Sequence, residues 1–204
     1  MRPEEIDPAD LKVQHVGPVT ILFGYENGKY PYGNSLTVTG SRQTAIIDPS
    51  LGVVARKEVL PRVDMVIHSH VHEDHIAGTH LFREVPWHAH SMDAQGLESI
   101  EGLMEIYGTP PGPSHDAFRQ EIETAFYYPA GGEVQRFEED HVFDLGDVTV
   151  TVLHTPGHTL ESTTYLLKDE TGNDHAIFTG DTLFIGDVGR PDLSQNTKVD
   201  TKLF

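Results

Sequence analysis

The stretch Val66-Ile67-His68-Ser69-His70-Val71-His72-Glu73-Asp74-His75 constrains this chain more than any other. An apolar run over 63–67 leads into it and a helix-like run over 76–82 leads out. The histidines and acids therefore fall between a strand and a helix, at a density no solvated loop needs. Imidazole and carboxylate are ligands that suit zinc and iron. Alternate residues of an extended segment share a face, so His70 and His72 can address one metal ion while Val71 turns into the packing. Asp74 and His75 arrive as the chain bends toward the helix, where they can serve a second metal or a metal-bound water. His68 sits at the strand end and is expected to be a packed or supporting histidine.

Composition narrows the field. A length of 204 residues allows one domain with a real core. Cysteine is absent, which removes disulfides, thiolate ligands and a cysteine nucleophile. Acids outnumber Lys and Arg by 32 to 14, a formal charge of −18, which argues against nucleic acid as a partner. Bound cations can offset part of that acidity, and some of the 13 histidines are expected to hold them. No apolar run approaches the roughly 18 residues that span a bilayer. The acidic, proline-bearing first ten residues lack a signal-peptide pattern. The expectation is a cytoplasmic protein with no membrane partner.

The segments around the His-rich stretch follow α/β logic. Strands are expected over 19–25, 35–39, 44–47 and 63–67, with a short helix over 53–60 stopped by Pro61. Residues before Gly17 carry no strong pattern. Asp48, at a strand end, is read equally as a turn-capping residue or as one that bonds loop amides or orients a ligand histidine. Trp87-His88-Ala89-His90 is expected as a short strand with partly exposed histidines that do not ligate a metal. Ser91 is expected to cap one helix running to Tyr107, with Leu97, Ile100, Met104 and Tyr107 on its apolar stripe. Ser114 is expected to cap another, to about Tyr127. The segment 91–128 then forms a helical insertion in a single domain spanning 1–204, placed to cover a site or to join subunits of a homo-oligomer. Strands follow over 133–137, 140–145, 148–154, 163–167 and 176–178.

Two of these later strands also end in candidate ligands. After 148–153 comes His154-Thr155-Pro156-Gly157-His158-Thr159, a bend that presents His158; His154 is expected to be structural. After 176–178 comes Thr179-Gly180-Asp181-Thr182, a tight turn that offers a carboxylate. Three strands that each deliver ligands at their carboxyl ends make a metal site a far stronger reading than one cluster does.

Together, His70-x-His72-x-Asp74-His75, Thr155-Pro156-Gly157-His158-Thr159 and Gly180-Asp181 resemble the metallo-β-lactamase superfamily, in its order and from about Asn34 onward. The resemblance implies an αββα sandwich with metals at one edge. In the dinuclear members His70, His72 and His158 would hold the first metal, Asp74 and His75 the second, and Asp181 would bridge them. The run from Phe178 to Asp192, with Asp187-Val188-Gly189-Arg190-Pro191, is similar to the glyoxalase II and persulfide dioxygenase branch. The dioxygenases use one iron(II), here held by His70, His158 and Asp181. Arg190 would pair with a glutathione-like carboxylate or form a structural salt bridge. Dinuclear members take a further histidine after the Gly-Asp turn, yet the last histidine here is His175. The usual final strand and helix are also missing, so the expectation is a fragment or an incomplete second site.

These residues imply a hydrolase with one or two zinc ions, whose activated water attacks a thioester, lactone or related small carbonyl substrate, with Asp74 orienting or deprotonating that water. The alternatives are a mononuclear iron dioxygenase acting on glutathione persulfide and a truncated, non-catalytic metal-binding fold.

Overall fold

The computed structural model describes residues 2–129 and 131–191. Strands β1 (Val13–Val16), β2 (Val19–Leu22), β3 (Ser35–Thr39), β4 (Thr44–Ile47), β5 (Met65–Ile67), β6 (Trp87–His90) and β7 (Val134–Phe137) form one sheet in chain order. The pairs from β1 to β4 are antiparallel, and those from β4 to β7 are parallel. Strands β8 (Val142–Asp144), β9 (Val148–His154), β10 (Thr163–Asp169) and β11 (Asp174–Phe178) form a second, antiparallel sheet ordered β11-β10-β9-β8. The helices are α1 (Leu51–Val54), α2 (Glu73–Ile76), α3 (Ala94–Glu98), α4 (Ile100–Tyr107) and α5 (Pro113–Ala125).

Period-2 alternation explains how the layers meet. Along β9, Val148, Val150 and Val152 are buried and the intervening threonines are half-buried. Those valines share one core with Tyr165 and Leu167 of β10 and with Ala45, Ile47, Met65 and Ile67 of β4 and β5. The two sheets are thus packed face to face. The alternate residues Ile46, Val66 and Trp87 point the other way, onto Val53 of α1. Strands buried on both faces read as unbroken apolar runs, as β5 does. Ala89 of β6 packs with Leu97, Leu103 and Ile122, so α3, α4 and α5 cover the seven-stranded sheet on its outer side. These three helices lie between the parallel neighbours β6 and β7, a connection that requires a crossover. The expected lack of a closing strand and helix concerns the end of the chain, and residues 192–204 lie outside the described residues. Among the described residues no helix is long and apolar enough to cross a membrane.

Several local expectations are corrected. β1 was not anticipated because all four of its residues are exposed; an edge strand paired only with β2 leaves no burial pattern to read. The helix expected over 53–60 is the single turn α1 plus a 3₁₀ turn at Lys57–Val59, and it starts earlier because the Ser50 hydroxyl accepts from Gly52 N–H at 3.1 Å. The helix expected over 91–107 is two helices broken at Ser99. That residue is extended (φ −152°, ψ 149°), and its hydroxyl accepts from Gly102 N–H at 3.0 Å, so the capping role expected of Ser91 falls to Ser99. Gly102 permits the break: a Cβ there would lie 2.2 Å from the Gln95 carbonyl oxygen. The next helix, α5, starts on Pro113 as its first residue rather than from a Ser114 cap.

The largest correction concerns His88 and His90, which are only 8% and 4% exposed. Both lie on the face of β6 that looks into the sandwich. His88 meets Phe143 edge-on at 5.1 Å, with Nδ1 3.1 Å from Val66 O and Nε2 3.1 Å from Gln135 Oε1. His90 stacks on His154 at 4.8 Å.

Candidate metal centre

The three clusters of candidate ligands end at one edge of the sandwich. The chain leaves β5 as the loop 68–72 and enters α2, which carries Glu73, Asp74 and His75. His158 lies in the bend between β9 and β10, held by Thr155 N–H to Ser162 O (2.9 Å) and by Gly157 N–H to Thr159 O (2.9 Å). Asp181 follows β11 through Gly180, whose φ of +49° places it where a Cβ would be 2.6 Å from Ser69 Oγ. The turn therefore presses directly onto the histidine loop.

Three imidazoles converge. His72 Nδ1 lies 3.2 Å from His70 Nε2 and 2.9 Å from His158 Nε2, and the three nitrogens are within 4.8 Å of one another. Ligand nitrogens about 2.0–2.1 Å from a tetrahedral ion lie roughly 3.3 Å apart, so the spacing fits a divalent metal. Asp181 stands beside them, with Oδ2 3.6 Å from His158 Nε2 and Oδ1 3.2 Å from His75 Nε2. Asp74 Oδ2 is 3.8 Å from that same His75 nitrogen. The six residues expected as ligands are thus brought together, with Asp181 between the two halves. Arg190 is exposed on the wall of the same cavity, and its carbonyl accepts from His158 Nδ1 at 2.9 Å.

Asp48 resolves the two readings left open for it. Its Oδ2 is 2.9 Å from His75 Nδ1 and its Oδ1 accepts from Ser69 N–H at 2.7 Å, so it both bonds the loop and orients a histidine. It does so from a left-handed backbone (φ 48°) that a non-glycine residue seldom adopts. His68 is buried and packs under the loop, with Nε2 3.3 Å from Thr79 Oγ1.

The charges follow from this burial. Burial, reinforced by neighbouring imidazoles, holds His70 well below its ordinary value and His72 at about 3. Burial also lowers His158. All three are neutral at physiological pH, the state a metal requires. Burial pulls His75 down, but Asp181, Asp74 and Asp48 outweigh it and leave it raised. Burial would raise Asp181, yet His75 and His158 bring it to about 2. Burial pushes Asp74 up to about 7, a value that a nearby cation would lower.

The site opens into a cavity of about 780 Å³, walled by Tyr30, Tyr107, Phe118, Phe178 and Phe184. Tyr30 and Tyr107 were not anticipated here. Tyr107 was read as one more member of an apolar stripe, and only its polar hydroxyl hinted otherwise. Glu73 is bonded by both of them: Tyr30 OH donates to Oε1 at 2.9 Å, and Tyr107 OH donates to Oε2.

Several known proteins are similar to this chain in sequence or fold. An acyl-coenzyme A thioesterase of Gallus gallus is 30% identical over 185 residues, covering 80% of this chain and 61% of its own length. A probable hydroxyacylglutathione hydrolase of Schizosaccharomyces pombe is 26% identical over 183 residues, covering 86% and 57%. An uncharacterised Mycobacterium tuberculosis protein is 30% identical over 160 residues, covering 73% and 66%. The chain thus spans less than two thirds of the length of each of these relatives. Among solved structures, an archaeal superfamily protein from Sulfolobus tokodaii superposes with a TM-score of 0.55 at 22% identity, covering 89% of this chain and 67% of that one. A metallo-beta-lactamase from Staphylococcus aureus gives 0.54 at 22%, covering 90% and 47%. A family model matches residues 30–201, and the chain belongs to the metallo-beta-lactamase superfamily.

Proposed function

We propose that the protein is a metal-dependent hydrolase that cleaves a thioester, lactone or related carbonyl substrate, with zinc as the metal. The observation that carries this reading is the three-imidazole cluster beside Asp74, His75 and Asp181 at the floor of an open cavity. His70, His72 and His158 would hold the first ion; Asp74 and His75 would hold a second, with Asp181 between them. The bound metal would supply a water acidic enough to be a hydroxide near neutral pH and would polarise the scissile carbonyl.

The chain's own residues do the rest. Asp74 faces the centre from the start of α2 and is suited to take a proton from the attacking water and return it to the leaving group. Asp48 holds the His75 ring through Nδ1 and leaves Nε2 to face Asp74 and Asp181. The aromatic wall seats the acyl portion and excludes water around the reacting carbon. Arg190, on the same wall, is placed to meet a carboxylate of the substrate.

The relatives' names include two hydrolases of thiol conjugates, which favours a thioester among these substrates. The dioxygenase reading needs only His70, His158 and Asp181. It leaves unexplained why His72 Nδ1 faces both neighbours at about the distance a shared ligand set requires.

Protein stripped of metal and reloaded with zinc or manganese is expected to hydrolyse thioesters or lactones, and the metal-free form is not. Absence of hydrolysis across thioester, lactone and β-lactam panels would remove this reading. Oxygen uptake with glutathione persulfide by iron-loaded protein would replace it with the dioxygenase.

A further inference from the structure

A histidine that ligates a metal ordinarily donates its outer N–H to a carboxylate, carbonyl or water, which fixes the ring. Three histidines of this centre have a protein oxygen at that nitrogen. His70 Nδ1 is 3.1 Å from Ser69 Oγ, His158 Nδ1 is 2.9 Å from Arg190 O, and His75 Nδ1 is 2.9 Å from Asp48 Oδ2. His72 differs. It turns Nδ1 to the centre, and among the described residues nothing hydrogen-bonds its outward Nε2. What meets it is the ring of Tyr107, stacked at 5.2 Å with the planes 14° apart.

Tyr107 is itself fixed on every side. It is the last residue of α4, and Gly108 turns the chain away with φ 62°. Its ring meets Phe118 of α5 edge-on at 4.9 Å. Its hydroxyl accepts from Glu73 N–H at 3.3 Å and donates to Glu73 Oε2. The other oxygen of Glu73 takes the Tyr30 hydroxyl at 2.9 Å. One buried carboxylate, next to His72 in the chain, thus ties together the ligand loop, the β6–β7 crossover helices and the loop that precedes β3.

We propose that Tyr107 is a positioning residue of the metal centre, whose stacked ring holds His72 where His70, His158 and His75 are each held by a protein oxygen. Glu73 serves to lock that ring and is not itself a ligand. The crossover helices are then part of the metal centre's support, and their placement bears on metal affinity. The inference rests on the metal centre proposed above.

The test is zinc affinity by chelator competition and the visible spectrum of the cobalt(II) form, in wild type, Tyr107→Phe, Tyr107→Ala and Tyr107→Leu. Thermal melting of the metal-free proteins is followed in parallel. Tyr107→Ala is expected to weaken zinc by about tenfold or more, the range for lost support of a ligand, and to shift the cobalt bands. Tyr107→Phe keeps the ring and is expected to keep most of the affinity and the wild-type spectrum. Tyr107→Leu fills the space without a planar face and carries the test should the alanine variant not fold; it is expected to behave as the alanine variant does. Wild-type affinity and spectrum in both the alanine and leucine variants would overturn the inference and leave the centre standing. Equal losses in Tyr107→Phe and Tyr107→Ala would overturn the role of the ring in favour of the hydroxyl. A wild-type protein that binds neither zinc nor cobalt would overturn the centre itself, and the inference with it.

Discussion

His70-Val71-His72 and His88-Ala89-His90 are the same three-residue pattern, carried by neighbouring parallel strands. They end in opposite environments. The first pair lies beyond the end of β5, where the chain has left the sheet and its imidazoles meet His158 from the other layer. The second pair lies within β6, where the shared face looks into the sandwich and the rings pack on Phe143 and His154. Alternation puts two residues on one face. Where the strand stops determines whether that face meets the candidate metal centre or a core.

The largest expected contrast between the pairs is in metal binding. His158→Ala or His70→Ala is expected to lose bound zinc on dialysis and to lower hydrolysis by more than about a hundredfold, beyond the cost of a lost supporting residue. His88→Ala is expected to retain wild-type metal content. Metal analysis of both variants after dialysis reads this directly, and equal metal loss in both would erase the distinction.

The second contrast is in stability, with the sign reversed. His88→Ala removes a packed ring and its bonds to Val66 and Gln135, and is expected to cost about 1–3 kcal/mol. In metal-free protein below about pH 6.5, His70→Ala is expected to cost less, because burial disfavours the protonated form of His70 that the unfolded chain adopts there. Urea midpoints of the two metal-free variants check the order.

The smallest contrast is in pH dependence. Burial holds His70, His72 (about 3), His158 and the supporting His68 (about 4) below the ordinary value of 6.5. The unfolded chain takes up those protons first. Their contribution to stability is therefore full above about pH 6.5 and is lost as the pH falls toward their folded values. His75 is raised and acts oppositely: its contribution is present below about 6.5 and fades as pH climbs through its folded value. Burial lowers His80, His88 and His90 as well, while the raised carboxyls of Asp74 (about 7), Asp93 and Glu161 act with His75 in the opposite sense; seven lowered histidines against these four groups predict that metal-free protein loses stability between about pH 7 and 5. His70→Ala should flatten that slope; a steeper slope in the variant, or a midpoint that rises on acidification, would contradict it.

Much of the architecture was legible because the signals were local. β3, β4 and β9 fall at the boundaries expected, since alternating or unbroken β-branched runs end there at Gly, Asp or Pro. The candidate ligand residues were legible because each follows a strand closely. β1 was not, because an exposed edge strand has no periodic burial to betray it. The break at Ser99 was not, because a stripe at three- and four-residue steps is compatible with one helix or two. Tyr107 was assigned to the stripe correctly as far as it went: its neighbours Leu103 and Met104 do pack in the core. Its stacking on His72 depends on where α4 ends relative to a loop more than thirty positions away in the chain.

The sequence by itself determined the chemistry available: imidazoles and carboxylates at strand ends, no thiols, and a spacing that lets neighbours share a face. Those are properties of residues within a few positions of one another, which backbone geometry links directly. Only the tertiary structure decided which His-x-His pair faces His158 and Asp181, that Asp48 supports His75, and that an aromatic ring from a crossover helix backs His72. These are contacts between residues 27 to 106 positions apart, and nothing local in the chain encodes the approach of one to another. Packing of the two sheets creates that approach, because the core between them fixes which strand tips stand side by side.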